Sequence, residues 1–132
     1  MRKPQEILAD TETIALVGAS PRPDRPSHQV MRYLLDHGYR VIPVRPRDCA
    51  EVHGVPCVAS LREIDEPVDL VDVFRRPEAT PEVARDAVAV GAKALWLQMG
   101  IVSTDARAIA ERAGLDYVEN ACTKVVHKLY LA

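Results

Sequence analysis

The residues best suited to chemistry lie in a proline- and arginine-rich turn near the start of the chain. An apolar run, residues 14–17, ends at Gly18, and Ser27 opens a segment with helical spacing. A buried strand that ends at a glycine just before a helix is typical of phosphate sites in parallel α/β proteins, because the helix N-terminus presents unpaired N–H groups and partial positive charge. Arg22 and Arg25 add two guanidinium groups to this turn. We therefore expect the turn to hold a phosphorylated nucleotide.

The composition is that of an ordinary globular protein, and it limits the partners of the chain. The 132 residues, of which 48% are hydrophobic and 27% charged, predict a single domain over residues 1–132. A net charge of −2 and only 5% aromatic residues argue against nucleic-acid binding. No apolar run could span a bilayer and the first residues lack a signal-peptide core, so we expect a cytoplasmic protein without membrane contact. The sequence is compatible with a protein partner but does not indicate one.

Groups for catalysis or metal binding are scattered. The four histidines form no metal-ligand cluster, and neither a Ser/His/Asp set nor paired carboxylates appear in the loops. Cys49, Cys57 and Cys122 form no CxxC pair and are odd in number, which favours reduced thiols over a disulfide framework. His127 and Lys124 resemble a proton-transfer pair, but a surface helix gives the same spacing and we interpret them as structural. The sequence therefore indicates no enzyme and no metal site.

Apolar runs alternate with helically spaced segments along the chain. This order predicts an α/β fold, a doubly wound Rossmann-like domain whose mostly parallel sheet of five to six strands carries helices on both faces. The predicted strands are residues 13–18, 39–44, 55–58, 68–74, 94–99 and 115–118. The predicted helices are residues 4–10, 27–37, 80–90, 103–113 and 122–131.

Several local features of these elements are expected from residue type. Thr80 and either Ser103 or Thr104 are predicted helix caps, and Ser27 is predicted to open its helix, with a cap as the alternative interpretation. Pro43 cannot donate to a strand ladder, so it should lie near the end of its strand or at an unpaired position. In the last helix, we expect the side chains of Val125, Val126 and Leu129 to point inward.

Five loops should meet at the carboxyl ends of the strands, where this fold binds its ligands. A dinucleotide of the NAD type is disfavoured, because Ser20 stands where GxGxxG needs its second glycine, and Arg22 with three prolines occupies the rest of a longer turn. Arg45 and Arg47 follow the second strand in place of the acid that binds the ribose 2′-OH of NAD. Two cations there suit either the 2′-phosphate of NADP or the 3′-phosphate of coenzyme A (CoA). The five loops are residues 18–27, 45–47, 75–80, 98–103 and 119–124.

Five separated motifs in residues 13–128 resemble those of the small stand-alone CoA-binding proteins. That family is similar in fold to the CoA-binding domain of succinyl-CoA synthetase and of NDP-forming acyl-CoA synthetases. The resemblance implies non-catalytic binding of CoA or an acyl-CoA, because the synthetases use further domains for their chemistry. The motifs are GASPRPDRPSHQV, GYRVIPVRP, VDLVDVFRRPE, GAKALWLQMGIVS and the tail with Cys122, Lys124 and His127.

The resemblance also implies which residues contact the ligand. Ser20, Arg22 and Arg25 match the family's phosphate loop, and the segment with Val44 and Pro46 matches the one beside the adenosine. Together with the residues of the turn and of the second loop discussed above, the full set of expected binding residues is Gly18, Ala19, Ser20, Arg22, Arg25, Ser27, Val44, Arg45, Pro46, Phe74, Arg75, Gln98 and Gly100.

The chain departs from the family pattern at two of these motifs, and two other functions remain open. Arg45 stands where the family usually has Asn, and Ala121 where it usually has Arg. Arg76 is expected to point to solvent or to pair with Glu78, and Cys122 to behave as a small buried hydrophobe. The alternatives are an NADP-binding reductase or regulatory domain and a protein-interaction subunit with a vestigial nucleotide pocket.

Overall fold

The computed structural model describes every residue from 1 to 132. In chain order, the elements are α1 (Pro4–Ala9), β1 (Thr13–Val17), α2 (Pro26–Asp36), β2 (Arg40–Val44), β3 (Glu51–Val52), β4 (Val55–Pro56), β5 (Leu70–Val73), α3 (Thr80–Ala89), β6 (Ala94–Leu97), α4 (Thr104–Arg112), β7 (Asp116–Val118) and α5 (Thr123–Tyr130). Single 3₁₀ turns cover Leu61–Glu63 and Pro77–Ala79. None of the helices has the length and apolar character that a membrane span needs.

Five parallel strands form the main sheet in the order β2-β1-β5-β6-β7. β1 lies between β2 and β5, and helices cover both faces of the sheet, so its apolar residues are buried on both faces. β3 and β4 form a separate antiparallel hairpin. The predicted α/β, Rossmann-like fold with a mostly parallel sheet is therefore confirmed.

Each face of the sheet carries its own apolar core. Alternate residues of the strands point to opposite faces, so Ile14 and Leu16 pack with α1 and α2, while Ala15 and Val17 pack with α3 and α4. Trp96 is fully buried on the α2 side, where its indole N–H donates to the Ala121 carbonyl at 2.9 Å. The two cores hold the sheet rigidly between helices, and its loops project at the edge.

The predicted cap at Thr80 is wrong by one residue, because Ala79 is the N-cap of α3, and α2 begins one residue before the predicted Ser27. α2 begins at Pro26 with Arg25 as the N-cap, because a proline at the first helical position already has a helical φ. Thr80 is the first residue of α3, and its hydroxyl donates to the Pro77 carbonyl of the preceding 3₁₀ turn instead of capping the helix. Ser103 does cap α4, since its Oγ accepts the Ala106 N–H at 3.1 Å.

The inward face of α5 differs from the predicted one. Val125 and Leu129 are exposed, with 47% and 71% of their surface accessible, whereas Thr123 and His127 are buried. These two polar residues lie one turn apart and find hydrogen-bond partners inside the protein, so burial costs them little. Only Val126 of the predicted apolar set packs against the core.

The cysteines also differ from expectation, because Cys49 and Cys57 form a disulfide. The β3–β4 hairpin pairs Glu51 with Pro56 and thereby brings the residues on either side of the hairpin together. The sequence did not indicate this, because neither two-residue strand has a pattern of its own. Cys122 is the free thiol of the chain.

Pro43 and Gly18 lie at strand ends where the backbone restricts the type of residue. Pro43 is the penultimate residue of β2, a strand at the edge of the sheet, as expected for a residue without an N–H. Gly18 has φ = +88°, and a Cβ on it would lie 2.2 Å from the Phe74 carbonyl oxygen. The strand end therefore requires glycine both for its backbone angle and for lack of space.

We predict that Gly18→Ala destabilises the protein more than Gly114→Ala does. Gly114 also has a positive φ, of +83°, but a Cβ there would meet nothing within 4 Å. Gly114→Ala, the control, should therefore lower the free energy of unfolding only by the cost of a left-handed backbone at alanine, about 1–2 kcal/mol. Crowding against backbone should add about 1–3 kcal/mol at Gly18, measurable by urea unfolding of both variants. Equal losses in the two variants would show that the contact with Phe74 relaxes freely.

Candidate functional site

A cleft of about 840 Å³ lies at the carboxyl ends of the strands. The five loops that the sequence predicts at this edge all contribute to its wall. The lining residues are Gly18, Ser20, Arg22, Arg25, Pro26, Ser27, Val30, Arg45, Phe74, Arg75, Arg76, Pro77, Gln98, Met99, Ile101 and Cys122.

The wall of the cleft holds five guanidinium groups and no carboxylate. Arg25, Arg75 and Arg76 form no ion pair, and Arg22 only approaches the exposed Asp24, at 3.4 Å. Arg45 donates to two backbone carbonyls, those of Ala19 at 3.1 Å and Arg47 at 3.0 Å. Four of the five guanidinium groups are thus left without a counter-ion in the chain, in a protein whose net charge is −2. Such a field attracts an anion with several negative charges.

The turn between β1 and α2 is fixed by its own hydrogen bonds. The N–H groups of Gly18 and Ala19 both donate to the Val44 carbonyl, at 3.1 and 3.3 Å. Ser20 is buried, and its Oγ accepts the Arg22 N–H at 3.1 Å. At the start of α2 no side chain caps the helix, and the Ser27 N–H has no acceptor within the chain. A free N–H at a helix N-terminus, next to arginines, is suited to a phosphate oxygen.

A buried polar network lies behind Gln98. Its Nε2 donates to Asp72 Oδ1 at 2.5 Å and to Thr123 Oγ1 at 2.9 Å, and the Thr123 hydroxyl donates to Asp72 Oδ2 at 3.0 Å. Asp72 is fully buried in the middle of the sheet without a cationic partner. Burial therefore raises the pKa of its carboxyl to about 7, although the two hydrogen bonds act in the opposite direction.

The comparison with known proteins places the chain in a family. A model of the CoA binding domain matches residues 12–128. The chain belongs to this family. It is 43% identical over 123 residues to the uncharacterised protein YneT of Bacillus subtilis, with 93% of this chain and 90% of that protein covered. A solved hypothetical protein from Pyrococcus horikoshii OT3 is 41% identical and superposes with a TM-score of 0.94 over 98% of this chain and 90% of its own.

A larger enzyme contains a related region. An ADP-forming acetate–CoA ligase of Archaeoglobus fulgidus is 24% identical over 132 residues, which cover 92% of this chain but 19% of the ligase. The chain therefore corresponds to about a fifth of that enzyme. The family predicted from the sequence motifs is confirmed by these matches.

Thirteen residues were assigned to ligand binding from the sequence. Nine of them line the cleft together. The other four lie elsewhere. Ala19 is buried under the turn, and Val44 is buried towards α3. Pro46 lines an adjoining pocket of about 200 Å³, which shares Gly18, Arg45 and Arg75 with the cleft. Gly100 is outside the cleft, and its N–H donates to Asn120 Oδ1 at 2.8 Å. The nine in the cleft are Gly18, Ser20, Arg22, Arg25, Ser27, Arg45, Phe74, Arg75 and Gln98.

Sequence reasoning missed seven lining residues, which are Pro26, Val30, Arg76, Pro77, Met99, Ile101 and Cys122. Arg76 is exposed, as expected, but it lines the cleft and does not pair with Glu78. Val30 could have been found, since it lies three residues after the predicted Ser27 and so on the same face of α2. The other residues come from loops that were predicted to meet here, but loop conformation decides which of their side chains face inward.

His127 and Lys124 lie outside this cleft. His127 is buried, and its Nδ1 lies 2.9 Å from the Tyr33 hydroxyl. Burial, with a smaller contribution from nearby His37, lowers the pKa of His127. His127 lines a second cavity of about 670 Å³ with Thr11, Thr13 and Arg40, at the amino ends of the strands. Its position and contacts support the structural interpretation.

We predict that Asp72→Asn removes a pH dependence of stability. The folded protein keeps the Asp72 proton up to about pH 7, whereas the unfolded chain loses it near pH 4, so folding becomes less favourable as the pH rises between these values. From pH 5 to pH 8 the free energy of unfolding should therefore fall by about 2–3 kcal/mol more in the parent protein than in the variant. Urea titrations at both pH values measure this difference. Parallel pH profiles would mean that Asp72 is ionised in the folded state at pH 5.

Proposed function

We propose that this protein binds coenzyme A or an acyl-CoA in the arginine-lined cleft. The observation that carries the proposal is the set of five guanidinium groups that face one cleft with no carboxylate among them. CoA carries a pyrophosphate and a 3′-phosphate, so it supplies several negative charges at two separated points. Membership of the CoA binding domain family supports the same ligand.

Separate parts of the site fit the separate phosphates. The pyrophosphate would lie on the turn that follows Gly18, within reach of Arg22, Arg25 and the free Ser27 N–H. Arg45 and Arg75 line both the cleft and the adjoining pocket, and Arg47 lines the pocket alone. This region would therefore receive the 3′-phosphate. Pro46 would then lie beside the adenosine.

We further propose that the role of residues 1–132 is binding without catalysis, as a single domain. The wall of the cleft contains no imidazole, carboxylate or amine that could act as a general acid or base. Its reactive groups are limited to the Cys122 thiol and the hydroxyls of Ser20 and Ser27. Ser20 already accepts a backbone N–H. Acyl transfer by this chain alone would therefore lack a proton acceptor.

A thermal-shift series with CoA, acetyl-CoA, dephospho-CoA, NADP and NAD tests the proposal. A ligand that binds only the folded state adds about 2.7 kcal/mol of stability at a hundredfold excess over its dissociation constant. We expect a clear shift with CoA, a smaller one with dephospho-CoA and none with NAD. A shift with NADP alone would favour the reductase alternative. No shift with any of the five would favour a protein-interaction subunit.

We predict that Arg25→Ala weakens CoA binding by about 10-fold or more. The substitution removes a charge-assisted hydrogen bond to a phosphate, and such bonds are worth about 1.5–3 kcal/mol. Calorimetric titration at low salt gives the affinity, and Arg112→Ala, at the exposed end of α4, is the matched control. An unchanged affinity in Arg25→Ala would remove Arg25 from the site, whereas a loss in both variants would indicate only long-range attraction.

A further inference from the structure

The side chain of Gln98 is held in one orientation. Its amide nitrogen faces Asp72 and Thr123, and it donates to both of them. Above its pKa of about 7, Asp72 is ionised, so it accepts hydrogen bonds and cannot donate one, and turning the amide over would place the Gln98 oxygen against the Asp72 oxygen. Only 3% of the Gln98 surface is accessible, which leaves the side chain little room to move. Where Asp72 is ionised, the network therefore fixes which end of the amide faces outward.

The oxygen of this amide has no partner in the protein. No hydrogen bond to Gln98 Oε1 is formed, yet no fully buried side-chain nitrogen or oxygen of the chain is unsatisfied. The atom must therefore be accessible, and the space that Gln98 lines is the cleft. A buried polar side chain costs free energy unless all its hydrogen bonds are made. The Gln98 oxygen, which has no partner in the protein, is therefore an acceptor that is available to a ligand in the cleft.

The surroundings indicate which part of a ligand reaches this oxygen. Met99 and Ile101 follow Gln98 along the chain, and Cys122 immediately precedes Thr123, the hydrogen-bond partner of Gln98. This end of the wall is therefore apolar or weakly polar. Phosphate oxygens have no proton to donate near neutral pH, and they are drawn to the arginines. The part of CoA that combines apolar groups with N–H donors is the pantetheine arm, which contains two amides.

We propose that Gln98 Oε1 is a fixed acceptor for an amide N–H of the pantetheine arm, and that Asp72 and Thr123 are positioning residues that hold it. This inference rests on the proposed binding of CoA. It assigns to the network a role in recognising the arm, separate from the recognition of the phosphates by the arginines. The network thereby connects α5 to the ligand through Thr123.

The test compares two ligands on two proteins at pH 8, where Asp72 is ionised. Adenosine 3′,5′-bisphosphate shares the nucleotide and the 3′-phosphate with CoA but has no arm. Gln98→Met keeps the length of the side chain and removes the acceptor. We expect the variant to bind CoA about 3- to 10-fold more weakly, as for the loss of one neutral hydrogen bond, and to bind the bisphosphate unchanged. Calorimetric titration measures all four affinities.

Two further variants separate recognition from folding. Gln29→Met, at an exposed position on α2, is the matched control and should leave both affinities unchanged. Thr123→Val removes one of the two bonds that hold the amide, and it should produce a smaller loss that is again confined to CoA. Melting temperatures identify any variant that fails to fold, and Thr123→Val then stands in for Gln98→Met.

The outcomes distinguish this inference from the proposed function. A loss that is equal for both ligands, or no loss at all, would overturn the role of Gln98 while CoA binding by the parent protein would stand. The same holds if the parent protein binds both ligands equally tightly, because the arm would then contribute nothing. If the parent protein binds neither ligand, the proposed function itself fails.

Discussion

The approach of three strand ends to one glycine is the constraint on which the site depends. Gly18 donates its N–H to the Val44 carbonyl of β2, while the Phe74 N–H, just after β5, donates to the Val17 carbonyl of β1. The Phe74 carbonyl occupies the space where a Cβ of residue 18 would lie. Because β1 lies between β2 and β5 and both neighbours run parallel to it, the loops that follow these three strands leave the sheet at the same edge. Arg22, Arg45 and Arg75 are brought together by this register.

The cleft is positively charged because the loops that line it supply five arginines and no carboxylate. Elsewhere on the surface, Arg2, Arg40 and Arg62 each pair with a carboxylate. At the cleft, Asp24 is the carboxylate that pairs with a lining arginine, and its side chain and that of Arg22 are both more than 60% exposed, so the pair contributes little. Guanidinium groups that are neighbours without counter-ions repel each other in the free protein. A polyphosphate ligand removes this repulsion, so part of its binding free energy comes from relief of a cost already present.

The sequence predicted the fold well because its signals are local. Each main strand is an apolar run bounded by turn residues, and each helix has a regular apolar face, so the order of elements already implied a parallel sheet. The arginine turn was found for the same reason, since a glycine, two arginines and a helix start are adjacent in the chain. The features that were missed depend on contacts between distant segments. The Cys49–Cys57 disulfide needs the hairpin register, and the inward face of α5 depends on Thr123 and His127 finding partners on other elements.

Asp72 illustrates the same limit, and it also shows how the site and the core are connected. In sequence it is one polar residue in an otherwise apolar strand, and strand alternation alone would allow it to face solvent. In the structure both faces of β5 are covered, so the carboxyl must be buried and its pKa rises. A hydrophobic residue at this position would avoid that cost and fill the same space. The cost is understandable if Asp72 is there to hold the amide of Gln98, because only an acceptor at that point turns the Gln98 oxygen towards the cleft.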